Sequence, residues 1–337
     1  MSRTMQAVVM TATGGADVLA LQPAPLLWPR GAQDVLVRLK AAGLNPADVY
    51  FRTYGPYIKG AGPCILGHDG AGIVEAIGRE VSQFEPGDRV CFCNGGIGGD
   101  PGTYAEFAIV PEDQLVSVPA NVDWTLAAAL PLVAITAWES LYERAAVANG
   151  EQVLIQGGAG GTGHVAVQLA ALKGARVAAT VSSEAKAAFL RSLGVDRPIL
   201  YRQEDFVAAA LDWTGGRGLA VALDNVGGET LQRTFRAMAP YGRIATLMGT
   251  PGDDAEGTAY NRNLTLHNVM MLTPMWLGLK DRLRHQAEIV NEAMAFLATG
   301  ELTLRIDSTF PLADAAAAHR RLEAGSMMGK VVLRIAD

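Results

Sequence analysis

Three glycines with the spacing GxGxxG occupy positions 158, 160 and 163, in the run VLIQGGAGGTGHVAVQLA (153–170). An apolar, strand-like segment precedes them and a helical pattern follows directly. In this context glycines permit a tight turn, close approach of backbone N–H groups to a pyrophosphate, and close packing of helix on strand. The helix N-terminus attracts the anion. The run therefore predicts a dinucleotide-binding turn at Gly158, Gly160 and Gly163.

The residues after this turn indicate which dinucleotide binds. A site for NAD carries Asp or Glu about twenty residues beyond the glycines, where it holds the ribose hydroxyls. Here the strand-like RVAATV (176–181) ends in Ser182 and Ser183. Glu184 lies one step into the next helical pattern, and Lys186 lies in its first turn. Hydroxyls and a cation without an acid favour a 2′-phosphate, so we expect NADPH, although Lys186 taken alone could be a solvated lysine.

A second set of polar side chains lies in GLNPADVYFRTYGPY (43–57) and comprises Asn45, Asp48, Tyr50, Arg52, Tyr54 and Tyr57. Such groups can donate hydrogen bonds or a proton to an oxyanion that develops on a substrate. The Gly and Pro residues around the tyrosines favour a loop. In the alternative interpretation, each tyrosine only covers the edge of the core.

Two different chain patterns must position these groups. Up to about residue 125, short alternating runs such as DVLVRLKAAG and GAGIVEAIG are punctuated by Gly and Pro, which predicts a compact β-rich unit. From there, Ala-rich helical patterns alternate with buried strands, which predicts a parallel, doubly wound sheet. The end of the chain has two helical patterns and a final strand, KVVLRIA.

Composition excludes several classes of function. The chain has 337 residues, half of them apolar, which is enough for two domains. Its net charge of −6 gives nucleic acid or an anionic membrane no basic surface. The most apolar stretch, 125–138, is too short to cross a bilayer and contains Pro131. The N-terminal residues lack a signal-peptide core and three cysteines make no disulfide framework, so we expect a cytoplasmic protein.

The motifs together resemble the medium-chain dehydrogenase/reductase superfamily, and most closely its zinc-independent NADPH:quinone oxidoreductase branch, which includes zeta-crystallin. The resemblance rests on AAGLNPADVYFR, LGHDGAGIVEAIG, EPGDRV, the glycine turn and LDNVGGETL. It implies an α/β protein in which a GroES-like, β-rich substrate domain (1–125 and 272–337) is interrupted by an inserted Rossmann domain, a doubly wound parallel sheet (126–271).

The resemblance also implies site residues. Residues matching Asn45, Asp48, Tyr50 and Tyr57 line the active site in that branch. Tyr201, at the end of ILY, matches a tyrosine that joins a serine and a lysine around the 2′-phosphate. The full set of cofactor-binding residues that we expect is Thr136, Gly158, Gly160, Gly161, Thr162, Gly163, Ser182, Lys186, Tyr201 and Asn225.

The same comparison bears on a metal at His68, in LGHDGAGIVEAIG (66–78). A catalytic zinc needs three protein ligands and an open position. In zinc-dependent cousins, cysteines stand where this chain has Asn45 and near Leu132. Cys91 and Cys93 stand alone where the cousins carry four cysteines for a structural zinc. We therefore predict no metal and expect His68 to be a hydrogen-bonded residue lining the cleft.

Without a metal, quinones and α,β-unsaturated carbonyls are the easier acceptors, because they accept hydride at carbon and spread the resulting charge over a conjugated system. The preferred prediction is an NADPH-dependent quinone or enone oxidoreductase acting on a small molecule. Two alternatives stay open: an alcohol dehydrogenase with a nonstandard metal site around Cys64, His68 and Asp69, and a protein that binds NADPH without catalysis.

The segment LTLHNVMMLTPMWLG (264–278) bears on assembly. It follows the last strand of the nucleotide domain, where the resemblance implies that edge strands pair across a dimer. We predict a homodimer, and the alternative is an ordinary buried edge strand of a single chain.

Overall fold

The computed structural model describes residues 4–26, 28–29, 31–58, 64–249, 254 and 257–335. The strands, in chain order, are β1 (Thr4–Met10), β2 (Leu19–Pro25), β3 (Asp34–Gly43), β4 (Cys64–Ile65), β5 (Asp69–Ile77), β6 (Arg89–Cys93), β7 (Phe107–Pro111), β8 (Val116–Ser117), β9 (Gln152–Ile155), β10 (Arg176–Val181), β11 (Arg197–Leu200), β12 (Leu219–Asp224), β13 (Met238–Thr246), β14 (Thr265–Asn268), β15 (Ile306–Pro311) and β16 (Lys330–Arg334).

The α-helices, in chain order, are α1 (Pro46–Tyr54), α2 (Trp124–Ala129), α3 (Pro131–Trp138), α4 (Gly161–Leu172), α5 (Glu184–Ser192), α6 (Phe206–Trp213), α7 (Gly228–Ala237), α8 (Thr258–Asn261), α9 (Thr273–Leu277), α10 (Lys280–Thr299) and α11 (Ala315–Glu323). Across the residues given above, no helix combines the length and the apolar character that a membrane span requires.

The chain forms two compact units. The first contains residues 1–132 and 272–337, and the second contains residues 133–271. The first boundary between the units lies between Leu132 and Val133, whereas the sequence predicts it between 125 and 126.

The first unit is built on β-sheets. Its larger sheet has the order β15-β16-β3-β5-β6-β8, with β7 paired to β3, and a smaller sheet has the order β2-β1-β4. Alternate residues of β3, among them Val35, Val37 and Leu39, pack into the core with Val74 and Phe92. This architecture confirms the prediction of a β-rich, GroES-like unit.

The register of the larger sheet positions the polar residues. Asp69 on β5 stands opposite Gly43 on β3 and Cys93 on β6. Val332 on β16 stands opposite Gly43 on its other side. Gly43 cannot carry a side chain, because a Cβ there would lie 2.3 Å from the carbonyl oxygen of Ala128 in α2. Helix α2 therefore packs directly on this row of residues.

The second unit is a six-stranded parallel sheet with the order β11-β10-β9-β12-β13-β14. Counted within the unit this is 3-2-1-4-5-6, the doubly wound order that binds dinucleotides at the point where the strand order reverses, between β9 and β12. The prediction of a Rossmann sheet is confirmed.

Three local predictions from the sequence were wrong or incomplete. Tyr50 and Tyr54 lie on a helix, α1, rather than in a loop, because Pro46 at the first helical position and the Asn45 cap start it, whereas Tyr57 lies in a loop as predicted. Strand β2 was missed, since Pro23 and Pro25 disguise an edge strand. In 264–278 only Thr265–Asn268 is a strand, and Thr273–Leu277 is a helix with Pro274 in its first turn.

Candidate active site

The start of α1 places two of the predicted residues, Asn45 and Asp48, in the interior. Asn45 is the N-cap residue, and its backbone N–H donates to Oδ2 of Asp48 at 2.8 Å, as in a capping box. Both side chains are fully buried. Local helix capping therefore explains why an amide and a carboxylate lie side by side in an apolar interior.

A buried cation joins this pair from the far end of the chain. The β16–β3 register, continued two residues beyond Val332 and Gly43, sets Lys330 opposite Asn45. The Lys330 ammonium donates to Oδ1 of Asn45 and lies 3.5 Å from Oδ2 of Asp69. The remaining oxygen, Oδ1 of Asp69, accepts from the backbone N–H of Leu132 at 2.8 Å. Asn45 Nδ2 donates to Oδ2 of Asp69 at 2.8 Å, which closes the network.

His68 faces Asp48. Its Nδ1 lies 2.7 Å from the carbonyl oxygen of Gly95, which only accepts, so Nδ1 carries a proton. Its Nε2 lies 3.5 Å from Oδ1 of Asp48, and neither atom makes a hydrogen bond within the described residues. A proton between these two atoms would turn the pair into an imidazolium and a carboxylate.

A hydrogen-bond chain approaches Asp48 from the other side. Arg52 forms an ion pair with Glu323, and its Nη1 lies 3.2 Å from Nδ1 of His319. An arginine only donates, so Nδ1 of His319 accepts and its Nε2 carries the proton in the neutral ring. That Nε2 lies 3.1 Å from the Tyr104 hydroxyl, which donates to Oδ2 of Asp48 at 3.1 Å. The donors therefore all point from Arg52 towards the carboxylate.

Burial dominates the electrostatics of this cluster. Burial raises the pKa of Asp48 and of Asp69, while the charges of His68 and Lys330 oppose that rise. Burial lowers the pKa of Lys330, against the attraction of the two carboxylates. Burial and the attraction of the neighbouring opposite charges therefore act in opposite directions on the pKa of Asp48, Asp69 and Lys330.

The predicted tyrosines form a separate aromatic group. Tyr50 lies on α1 and is 46% exposed, and Tyr57 is half-buried. The ring of Tyr57 packs against Phe51 and Trp276, with centroids 4.8 and 5.1 Å away. Phe51 also contacts His68, at 5.6 Å between centroids, and so links the aromatic group to the buried network. Burial, reinforced by Tyr50, raises the pKa of Tyr57, which keeps its hydroxyl protonated as a donor.

The residues around His68 do not fit a zinc ion. Asn45 is a neutral amide that is already bonded to Lys330 and Asp69, and Leu132 has an alkyl side chain. In the ranges that the structure describes, no three His, Cys, Asp or Glu side chains are grouped as metal ligands. Cys64, which the metal-dependent alternative requires, lies on β4, and burial raises the pKa of its thiol, which disfavours a thiolate ligand.

The glycine turn of the second unit fits a dinucleotide. A Cβ at Gly163 would lie 2.3 Å from the carbonyl oxygen of Gly157, and one at Gly158 would lie 2.7 Å from Cβ of Ala179. Gly160 is the N-cap of α4, which starts at Gly161 with Thr162 next. The bare backbone therefore lets α4 begin directly against the turn with its N–H groups directed at an anion.

Asn225 lies at the point where the strand order reverses. It follows β12, and its Nδ2 donates to the carbonyl oxygen of Gln156, just after β9, at 2.8 Å. Its Oδ1 is buried and has no hydrogen-bond partner among the described residues, so it can accept from a ribose hydroxyl or the nicotinamide amide. Thr136, the other predicted contact outside the turn, is buried in α3.

The predicted 2′-phosphate residues lie on neighbouring strand ends. β10 and β11 pair in parallel up to Val181 and Leu200, so Ser182 and Tyr201 follow at adjacent positions. Ser183 caps α5 and accepts from the backbone N–H of Lys186. Tyr201 is 49% exposed. Ser182 and Tyr201 therefore lie side by side at the ends of β10 and β11, and Lys186 lies in the first turn of α5.

Sequence reasoning missed three members of the buried network: Lys330, Tyr104 and His319. Lys330 could have been found, because pairing KVVLRIA against the strand before Asn45 sets the two residues opposite each other. Tyr104 and His319 carried no such signal, since each is a single polar residue in an ordinary β or helical pattern.

Comparison with known proteins agrees with this architecture. Residues 31–120 match the alcohol dehydrogenase GroES-like domain family, and residues 193–333 match the zinc-binding dehydrogenase family. A quinone oxidoreductase of Pseudomonas aeruginosa is 32% identical over 97% of this chain and 98% of its own length. A 2-haloacrylate reductase of a Burkholderia species is 31% identical over 98% of both chains. The crystal structure of an alcohol dehydrogenase superfamily protein from Novosphingobium aromaticivorans has a TM-score of 0.89 and 36% identity, covering 98% of this chain and all of the other.

Such similarity over nearly the whole chain identifies an oxidoreductase, and the family implies a nicotinamide cofactor for the site at the glycine turn. The chain belongs to the medium-chain dehydrogenase/reductase superfamily, in its quinone oxidoreductase branch.

Proposed function

We propose that the protein transfers hydride from NADPH to a quinone or an α,β-unsaturated carbonyl compound, without a metal. One observation carries this proposal: a protein lysine, rather than a free coordination site, lies beside Asn45 and Asp69. The site therefore offers hydrogen-bond donors but no Lewis acid. Relatives named quinone oxidoreductase and 2-haloacrylate reductase support an acceptor with a conjugated double bond.

The donors of the first unit suit such an acceptor. Bound NADPH supplies the hydride. The charge that then develops spreads to the acceptor's oxygen, where one or two donors can stabilise it. The protonated Tyr57 hydroxyl is the partly exposed donor that we assign to this oxygen, and Asn45 orients the substrate or the cofactor's ribose. Asp48 holds Asn45 in place through the backbone N–H of Asn45, and the other carboxylate oxygen of Asp48 faces Nε2 of His68 at 3.5 Å.

We also propose that NADPH is preferred to NADH. Ser182, Lys186 and Tyr201 offer donors to a 2′-phosphate, and a charge-assisted contact of this kind contributes roughly 1.5 to 3 kcal/mol. Lys186→Ala should therefore weaken NADPH binding by about one to two decades and leave NADH nearly unchanged. Fluorescence titration with both cofactors measures this. The control is Lys173→Ala, which lies at the end of α4 remote from the glycine turn. Equal losses for both cofactors would contradict the assignment.

A panel of acceptors tests the reaction. Purified protein is assayed with 1,4-benzoquinone, 9,10-phenanthrenequinone, 2-cyclohexenone, 2-chloroacrylate and acetaldehyde, each with NADPH and with NADH. We expect turnover of a quinone or an enone with NADPH, insensitive to 1,10-phenanthroline. Chelator-sensitive turnover confined to acetaldehyde would favour the metal-dependent alternative. Binding of NADPH without turnover of any acceptor would favour a non-catalytic role.

We place this activity in a reducing cytoplasm and in a homodimer. Cys64, Cys91 and Cys93 are all free thiols. Strand β14 ends the six-stranded sheet and leaves one edge for a second copy of the chain.

A further inference from the structure

Lys330 carries an ammonium group into the protein interior. The residue is 1% exposed and is held on β16 between β3 and β15. Burying an ammonium is costly unless an opposite charge and good hydrogen bonds compensate for the lost water. Its ammonium donates to Asn45 and Asp69, both fully buried. The position therefore calls for a role beyond filling space.

We propose that Lys330 is the positioning residue of the candidate active site: it supplies an internal cation beside Asn45, neutralises Asp69 and fixes the amide of Asn45. In this chain the charge is part of the sequence, so the site cannot lose it to a chelator.

The hydrogen bonds around Asn45 show how the amide is fixed. Its Oδ1 accepts from Lys330, and its Nδ2 donates to Asp69. A flipped amide would set an NH₂ group against the ammonium and a carbonyl against the carboxylate, which is unfavourable on both sides. One orientation is therefore selected, and the second Nδ2–H of Asn45 keeps a defined direction for a substrate or ribose oxygen.

Thermal unfolding tests the charge role without any assay of activity. Lys330→Met keeps the length of the side chain and removes the charge, while Asp69→Asn removes the opposing charge. We expect each single variant to lower the melting temperature by several degrees, and the double variant to lose clearly less than the sum of the two. If Lys330→Met does not fold, the double variant should. Additive losses of melting temperature would overturn the proposal. It would also be overturned if neither Lys330→Met nor the double variant folds.

Steady-state kinetics test the positioning role, and this part rests on the proposed function. With the acceptor that the wild-type protein reduces best, Lys330→Met should lower kcat by about ten- to a hundredfold and leave the KM for NADPH within twofold. If Lys330 acts through Asn45, the variant Asn45→Ala/Lys330→Met should be no slower than Asn45→Ala alone. Multiplied losses in the double variant would show that the two residues act independently.

A packing control separates positioning from general destabilisation. Val331→Ala truncates the next residue of β16, which is as buried as Lys330 but apolar. It should lower the melting temperature as Lys330→Met does, but leave kcat within twofold; an equal loss of kcat would overturn the positioning role. If wild-type protein reduces no acceptor, the proposed function fails, and the unfolding cycle with Asp69 still decides whether Lys330 is the compensating cation.

Discussion

A chain of hydrogen-bond donors runs from Arg52 through His319 and Tyr104 to Asp48, and it contains a histidine that can titrate. Arg52 fixes the tautomer of His319, which fixes the direction of the Tyr104 hydroxyl towards Asp48. Burial, aided by the charge of Arg52 and opposed by Glu323, lowers the pKa of His319 to about 4. The ring is therefore neutral at physiological pH, and its role depends on staying so.

The lowered pKa of His319 predicts a specific loss of stability in acid. An unfolded chain takes up a proton on this ring below about pH 6.5, whereas the folded protein does so only near pH 4. The stabilisation is therefore complete above pH 6.5 and is lost as the pH falls towards 4, by at most roughly 3 kcal/mol. His319→Gln, which cannot titrate, should flatten the free energy of unfolding against pH in that window. An unchanged slope in urea titrations at pH 4.5, 5.5 and 6.5 would refute this.

Tyr57 should matter for turnover but not for cofactor binding. Its hydroxyl stays protonated, and Phe51 and Trp276 hold its ring. Tyr57→Phe keeps that packing and removes one donor to the developing oxyanion, so kcat should fall about ten- to a hundredfold. Tyr54, on the same segment and 73% exposed, provides the matched control, since Tyr54→Phe should change nothing. Unchanged turnover of Tyr57→Phe would remove the residue from the mechanism.

The glycine turn makes two different demands on neighbouring glycines. Gly163 has no room for a side chain, whereas a Cβ at Gly160 would make a single tight contact, 3.3 Å from the carbonyl oxygen of Gly157, and its backbone angles suit alanine. Gly160→Ala should therefore weaken NADPH binding at least tenfold with little change in melting temperature. Gly163→Ala should weaken NADPH binding and also lower the melting temperature, because overpacking costs about 1 to 3 kcal/mol or more. Equal stability losses in the two variants, measured by differential scanning fluorimetry, would contradict this distinction.

The accuracy of the sequence predictions varied between elements, for physical reasons. Long periodic segments such as β3 and α4 were read correctly, since their burial pattern dominates every other signal. The Asn45-Pro46 pair, which reads equally well as a turn or a helix start, hid α1. The predicted polar residues were found together in part: Asn45 and Asp48 share a network, but that network is completed by β16 and α11, whose contacts depend on tertiary pairing.

The whole molecule should be a homodimer. The outer edge of β14 has backbone N–H and C=O groups that can pair with a second copy, and Met270, which follows β14 by two residues, is half exposed. Multi-angle light scattering should give twice the 35.5 kDa chain mass at micromolar concentration. A mass of one chain would exclude the dimer.

The position of Lys330 in the chain has a consequence for synthesis on the ribosome. Asn45 and Asp69 are synthesised early. Lys330, whose ammonium compensates Asp69, follows Asp69 by more than 250 residues. The nucleotide-binding unit is one continuous segment, 133–271, and can fold as soon as it emerges. The unit that it interrupts cannot bury Asp69 against its compensating charge until β16 has been synthesised. Chaperones should therefore engage the first segment for most of translation. The second unit should become resistant to protease before the first, although the first unit begins earlier in the chain.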